Sequence, residues 1–220
     1  MAGELKKRIL TSLFLLSLLF LMFSYIFILI IFLIIICIIS WIEFYSLICK
    51  IFKKENIKNK VLRFILKATS LIYLSILIYL ILMTKLSYPE LEIFIIYPIL
   101  VSIMSDIGGL VIGRTFKGRK LTKISPKKTI SGSIGSFIFS LSLIPFYIKS
   151  IPEISLLLMI FITIVISLSS QIGDLFISYL KRKAKVKNTS NLLPGHGGVL
   201  DRIDGIIFSI PIGFSILFFI

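Results

Sequence analysis

The densest run of polar chemistry lies between residues 171 and 204. It reads Gln171-Ile172-Gly173-Asp174, then Ser178, Lys181 and Arg182, then Lys187, then Pro194-Gly195-His196-Gly197-Gly198, and closes on Asp201-Arg202-Ile203-Asp204. At helical spacing, Asp174, Ser178 and Lys181 or Arg182 share one face. A helix opening at 200–204 puts Asp201 and Asp204 on another. Two helix ends then present carboxylates with cations between them. That arrangement suits a hard divalent ion held together with a polyphosphate. The glycines around His196 let backbone approach phosphate oxygens. A lone histidine is usually structural, but His196 is the only one in the chain and sits among three glycines.

Two earlier clusters also break an apolar background. Ser105-Asp106-Ile107-Gly108-Gly109 leads to Gly113-Arg114. Gly109 and Gly113 fall on the helix face of Asp106, leaving room there for a ligand or metal. The competing reading is close helix packing through Gly-x-x-x-Gly, with Asp106 paired to a lysine. Ser125-Pro126-Lys127-Lys128-Thr129 reads as an N-cap, a proline at the first helical position and two cations, which is an anion site. Ordinary topogenic charge explains Lys117 to Lys123 well, and the Ser-Pro-Lys-Lys-Thr order less well.

The elements that must carry these residues are membrane helices. The chain has 220 residues, of which 57% are hydrophobic and 16% charged, with mean hydropathy +1.06. Soluble domains carry about 25% charged residues. Several apolar runs reach the roughly 20 residues needed to cross a bilayer as a helix. Inside lipid the backbone must satisfy its own hydrogen bonds. A membrane barrel needs short alternating segments, which the run 26–41 contradicts. The expected fold is therefore all-α, a polytopic bundle of about seven spans. Residues 9–49 are split into two helices near Ser24–Tyr25. The remaining spans are expected at 64–83, 91–112 (broken by Pro98), 130–148, 154–172 and 200–220. By organisation, residues 1–100 form N-terminal transmembrane helices and 101–220 the catalytic transmembrane region with its cytoplasmic loops.

Net charge is +15, which in a soluble chain would point to nucleic acid. Its placement points to topology instead, and no nucleic-acid partner is expected. With the N-terminus cytoplasmic, only Lys85 and Lys149 of the 25 basic residues fall outside. That bias favours seven spans, with the C-terminus outside. The first apolar stretch is too long for a signal peptide and lacks a small-residue cleavage site, so an uncleaved first helix is expected. Cys37 and Cys49 fit no metal spacing and read as apolar filler.

Taken together, Ser178-x-x-Lys181-Arg182-x4-Lys187 and Pro194-x-His196-Gly197-Gly198-x-x-Asp201-Arg202-x-Asp204 resemble the signature of the phosphatidate cytidylyltransferases, the CDP-diacylglycerol synthases. Asp106-x-Gly108 and Ser125-Pro126-Lys127-Lys128-Thr129 resemble that family in the same order. The resemblance covers roughly residues 100–210, and Glu43 after Trp41 is a weaker echo. Asn188 stands where the family usually has Asp, and Ser131 where it usually has Glu.

The resemblance implies one reaction: phosphatidic acid attacks the α-phosphorus of CTP, giving CDP-diacylglycerol and pyrophosphate. It implies Mg²⁺ on Asp174 and Asp201 with Asp204 in support, a second cation being left open. It assigns Lys181, Arg182, Lys187 and Arg202 to phosphates. Asp106, Ser125, Lys127, Lys128, Thr129, Ser178, His196, Gly197 and Gly198 are then substrate-binding. Asn188 is read as supporting the metal site through hydrogen bonds. The implied setting is the lipid bilayer of the cell's inner (plasma) membrane, multi-pass, with the site at the cytoplasmic face; a homodimer is compatible with it. Two other readings are a CTP-dependent polyprenol or lipid-alcohol kinase and an ion-coupled transporter.

Overall fold

The computed structural model describes residues 25–150, 154–193 and 197–219. The elements in order are α1 (Ile26–Ile51), α2 (Ile57–Ser87), a 3-10 turn (Pro89–Leu91), α3 (Ile93–Phe116), α4 (Ile130–Leu141), α5 (Ile144–Tyr147), α6 (Leu156–Lys183), α7 (Leu200–Ile203) and α8 (Ile206–Phe218). Among the described residues there is no β-strand, so the fold is all-helical as expected. Five stretches are long and apolar enough to cross a membrane: Ile26–Ile51, Ile57–Ser87, Pro89–Phe116, Ile130–Tyr147 and Leu156–Lys183.

The expected boundaries need four corrections, the first being that the helix expected at 154–172 runs on, as α6, to Lys183. The span expected at 64–83 begins earlier, as α2, because Asn56 caps it. The Asn56 side chain accepts from Asn59 N–H at 3.1 Å and its carbonyl from Lys60 N–H at 3.0 Å. Pro98 does not break its helix, since α3 runs through it. Proline sits early in α3, where it removes a single backbone bond, and its ring packs where Gly213 leaves space. The stretch expected as a last span is two helices, with a turn at Asp204–Gly205. The 13 residues of α8 reach only about 20 Å, short of a bilayer core of about 30 Å. Most of the expected first span lies outside the described residues.

Two compact units are present. The first comprises the described residues of Met1–Leu82 with Leu180–Arg202, and the second Met83–Tyr179 with Ile203–Ile220. In the first unit, α1 turns one stripe inward: Cys37, Ser40, Glu43, Leu47 and Ile48. Its other faces stay apolar and exposed, as at Ile31, Ile35, Ile38 and Ile42, the pattern of a helix that meets lipid. Trp41 donates its indole N–H to the Lys67 carbonyl at 3.0 Å. The Lys67 ammonium lies 4.9 Å from the Trp41 ring centre and 4.5 Å from that of Tyr45.

In the second unit, α3 and α4 meet through small residues. A Cβ on Gly109 would lie 2.7 Å from Ser136 Oγ, and one on Gly113 would lie 3.3 Å from Gly132 Cα. Hydroxyls tie the layer together: Tyr97 to Thr163 at 2.6 Å, Ser102 to Ser170 at 2.7 Å, and Ser167 to Ser105 at 3.0 Å. Such bonds and close backbone contacts hold helices together where no hydrophobic force between them is available. A core of Tyr97, Val101, Ile144, Met159, Ile162, Ile166 and Leu217 completes this unit.

Candidate active site

The site residues fall into a cluster in each unit. In the first unit the cluster is built on the end of α6, α7 and the segment between them. Lys181, near the end of α6, forms an ion pair with Asp201 Oδ1 at 2.6 Å. The other carboxylate oxygen of Asp201 accepts from Thr189 N–H at 2.9 Å and Gly198 N–H at 3.1 Å, with the Thr189 hydroxyl oxygen 3.0 Å away. Asp201 lies outside the five candidate spans. Burial pushes its carboxyl up, but the Lys181 ammonium and the two backbone N–H groups outweigh this and hold it below the ordinary value of 3.8. Lys187 and Asn188 are exposed.

Gly197 has φ of 86°, and a Cβ there would come within 2.9 Å of Asp201 Oδ2 and 3.3 Å of Asn188 Cγ. Glycine is required at 197 for both reasons. Pro194, Gly195 and His196 lie outside the described residues.

The second residue of weight in this unit is Glu43. A glutamate within an apolar helix is costly unless partnered, and Glu43 is 4% exposed. Its partners come from the same segment that holds Asp201: the Thr189 and Ser190 hydroxyls and the N–H groups of Val199 and Leu200. Sequence reasoning noticed Glu43 only as an echo. The available signal was a lone carboxylate within an otherwise uncharged run.

In the second unit, Asp174 on α6 pairs with Lys128 and accepts from the Ser178 hydroxyl at 3.2 Å. The expected shared face of Asp174 and Ser178 is therefore seen. Lys128 comes from the loop before α4, where one expectation is corrected. Ser125 is not the cap of α4. Its carbonyl accepts from Lys128 N–H at 3.0 Å, closing a turn with Pro126 in the second position, where its fixed φ fits. The cap is Thr129, whose hydroxyl accepts from Gly132 N–H at 3.0 Å. Ser131, at the position where Glu was expected, donates to the Lys117 carbonyl and lies 3.0 Å from the Thr129 hydroxyl. The backbone pairs Leu121 N–H with the Lys128 carbonyl at 2.8 Å, so the lysine loop is a folded hairpin-like piece.

Asp106 is exposed on α3. The glycines near it are spent on the α3–α4 contact, which supports the packing reading for them. Asp204 is buried, at 7% exposure, and its side chain accepts from Gly205 N–H at 2.9 Å at the break between α7 and α8. Asp201 and Asp204 thus flank a turn rather than open one continuous helix. Arg182 and Arg202 are exposed.

Among the described residues no three of His, Cys, Asp and Glu cluster as a metal site. Mg²⁺ asks for less, since one or two carboxylates plus substrate phosphates and water commonly hold it. Asp174 and Asp201 offer hard oxygen donors of that kind, and each is now neutralised by one lysine.

Apolar helices with buried hydroxyl bonds and two lysine–aspartate pairs define a multi-pass helical membrane protein. The chain belongs to the Cytidylyltransferase family, whose profile matches residues 4–220. It is similar to the phosphatidate cytidylyltransferase of Rickettsia typhi, at 44% identity over 119 residues, 50% of this chain and 52% of that one. A second relative of that name, from Staphylococcus saprophyticus, is 39% identical over 122 residues, 54% of this chain and 46% of that one. A third, from Bacillus subtilis, is 37% identical over 127 residues, 56% of this chain and 47% of that one. The chain spans about half the length of the curated relatives it matches.

Proposed function

We propose that this protein transfers the cytidylyl group of CTP to phosphatidic acid, giving CDP-diacylglycerol and pyrophosphate. The observation that carries this reading is the Lys181–Asp201 pair, seated in a glycine-bearing segment of a chain that belongs to the Cytidylyltransferase family. A phosphate oxygen of phosphatidic acid forms the new bond to the α-phosphorus, and the bond from that phosphorus to the bridging oxygen breaks with pyrophosphate as leaving group. The attacking phosphate monoester has a second pKa of about 6 to 7, so no strong base is needed.

The work left to the protein is positioning and charge neutralisation. Lys181 and Lys128 are each held on an aspartate, ready to exchange it for phosphate. Arg182, Lys187 and Arg202 add exposed positive charge near the same elements, and Lys127, Ser125 and Thr129 shape the Lys128 loop. Asp174 in the second unit and Asp201 in the first are each a carboxylate that would serve as a ligand for Mg²⁺, which would supply charge neutralisation of the triphosphate. The basic bias further supports an N-terminus in the cytoplasm, an inner-membrane location and a cytoplasmic-face site.

The test supplies purified protein in lipid with CTP labelled separately in the base and in the γ-phosphate. Base label entering lipid in a phosphatidic-acid-dependent way supports the reading. The γ-label entering lipid would replace it with a lipid-alcohol kinase. Incorporation of neither would reject both and favour transport.

A further inference from the structure

Glu43 is a buried carboxylate that the proposed reaction does not use, and its four donors all come from one segment. Oε1 accepts from Ser190 Oγ at 2.6 Å and Val199 N–H at 3.1 Å; Oε2 accepts from Thr189 Oγ1 at 2.7 Å and Leu200 N–H at 2.9 Å. Four donors occupy the four lone-pair positions of a carboxylate. The two contacted ends, 189–190 and 199–200, enclose the glycine-bearing stretch. They also adjoin Asp201 directly: Thr189 sends its N–H to Asp201 Oδ2, while its hydroxyl contacts Glu43 Oε2. Gly198 completes the fit, since a Cβ there would collide with Thr189 Oγ1 and with Glu43, whose Cδ would be 2.7 Å away.

We propose that Glu43 is a positioning residue for nucleotide binding. From within α1 its carboxylate pins both ends of the 189–200 segment, and so sets the Lys181–Asp201 pair in its phosphate-ready form before substrate arrives. The proposal rests on the nucleotidyl-transfer reading for its kinetic consequence, but not for its structural one. Removing the pin lowers the fraction of molecules with a competent segment, and apparent affinity falls by that fraction. Saturating CTP draws the segment back into order, so turnover survives.

Glu43→Gln is the informative change, because it keeps size and leaves one acceptor oxygen. Whichever way the amide faces, either Val199 N–H or Leu200 N–H meets an NH₂ donor. For the full-length protein in lipid nanodiscs, the KM for CTP should rise at least tenfold with kcat within threefold. Amide exchange at 189–193 and 197–200, measured without nucleotide, should quicken at least tenfold while the core around Tyr97 and Ile166 is unchanged. A purely structural role would instead lower kcat through loss of folded protein, at unchanged KM. That result, or unaltered exchange in the segment, overturns the proposal.

If Glu43→Gln does not fold, Ser190→Ala removes one donor and should raise the KM for CTP two- to fourfold; an unchanged KM there overturns the proposal. A wild-type protein that puts no nucleotide into lipid would reject the nucleotidyl-transfer reading. The exchange comparison uses no CTP and decides on Glu43 by itself.

Discussion

The Lys181 ammonium and the Asp201 carboxylate meet at 2.6 Å across twenty residues of chain. Both side chains are largely buried, at 15% and 8% exposure. A partly buried ion pair of this kind is costly to halve, because the remaining charge loses its partner without regaining water.

Asp201→Asn keeps shape and removes the charge. Nucleotide incorporation into lipid should fall at least a hundredfold, about 2.7 kcal/mol, while the protein still inserts. Activity within threefold of wild type would remove Asp201 from the reaction.

The same residue gives a pH dependence. Its carboxyl is held below the ordinary 3.8 in the folded protein. Its contribution to stability is therefore present above the unfolded value and is lost as pH falls through the lower, folded value. Protection of Thr189 and Gly198 amides in nanodiscs should hold from pH 6 to about 4 and then drop. In Asp201→Asn this acid-side step should be missing; an identical step in both proteins would assign it to another group.

Helix packing offers a test far from the chemistry. A Cβ on Gly135 would meet Ile112 Cβ, with Ile112 Cγ1 at 2.6 Å and the Gly108 carbonyl at 2.7 Å. Gly135→Ala should cost about 1–3 kcal/mol by overpacking, read as a lowered midpoint of detergent unfolding. Adding Ile112→Ala should recover part of that loss, since it removes Cγ1. Strict additivity of the two changes would place the strain elsewhere.

Topology is tested by labelling. With Cys37 and Cys49 replaced, a new cysteine beside Lys149 should react with an impermeant reagent from outside, and one beside Lys120 should not. The reverse pattern would invert the proposed orientation and move the lysine loop away from cytosolic CTP.

The helices were legible because unbroken apolar runs in a lipid setting leave the backbone few alternatives. The Asp174–Ser178 face was legible from spacing alone. Pro98 was misread because proline's cost is large in water-exposed helix interiors and smaller near the start of a packed membrane helix. Ser125-Pro126 was misread because the same dipeptide suits a helix start and a turn, and only the Thr129 hydroxyl bond separates the two. At the break at Asp204–Gly205 the Asp204 side chain accepts from Gly205 N–H, a bond that apolar periodicity does not encode. Glu43 was nearly invisible because its partners lie 146 to 157 residues away, and no local pattern encodes so distant a contact.

That separation also fixes an order of events during biosynthesis. When α1 leaves the ribosome, the groups that will solvate Glu43 have not been made. An acidic residue in an inserting helix costs about 2.5–3.5 kcal/mol at the centre on translocon scales and less toward an end, where Glu43 lies, and the surrounding isoleucines must offset it alone. At about 5–20 residues per second, the 157 residues to Leu200 take roughly 8–30 seconds. For that interval the glutamate is an unmet polar group at the membrane, and a segment that begins 146 residues later relieves it. A ribosome that stalls before Thr189 would release a chain whose first described helix carries a standing reason for quality control to remove it.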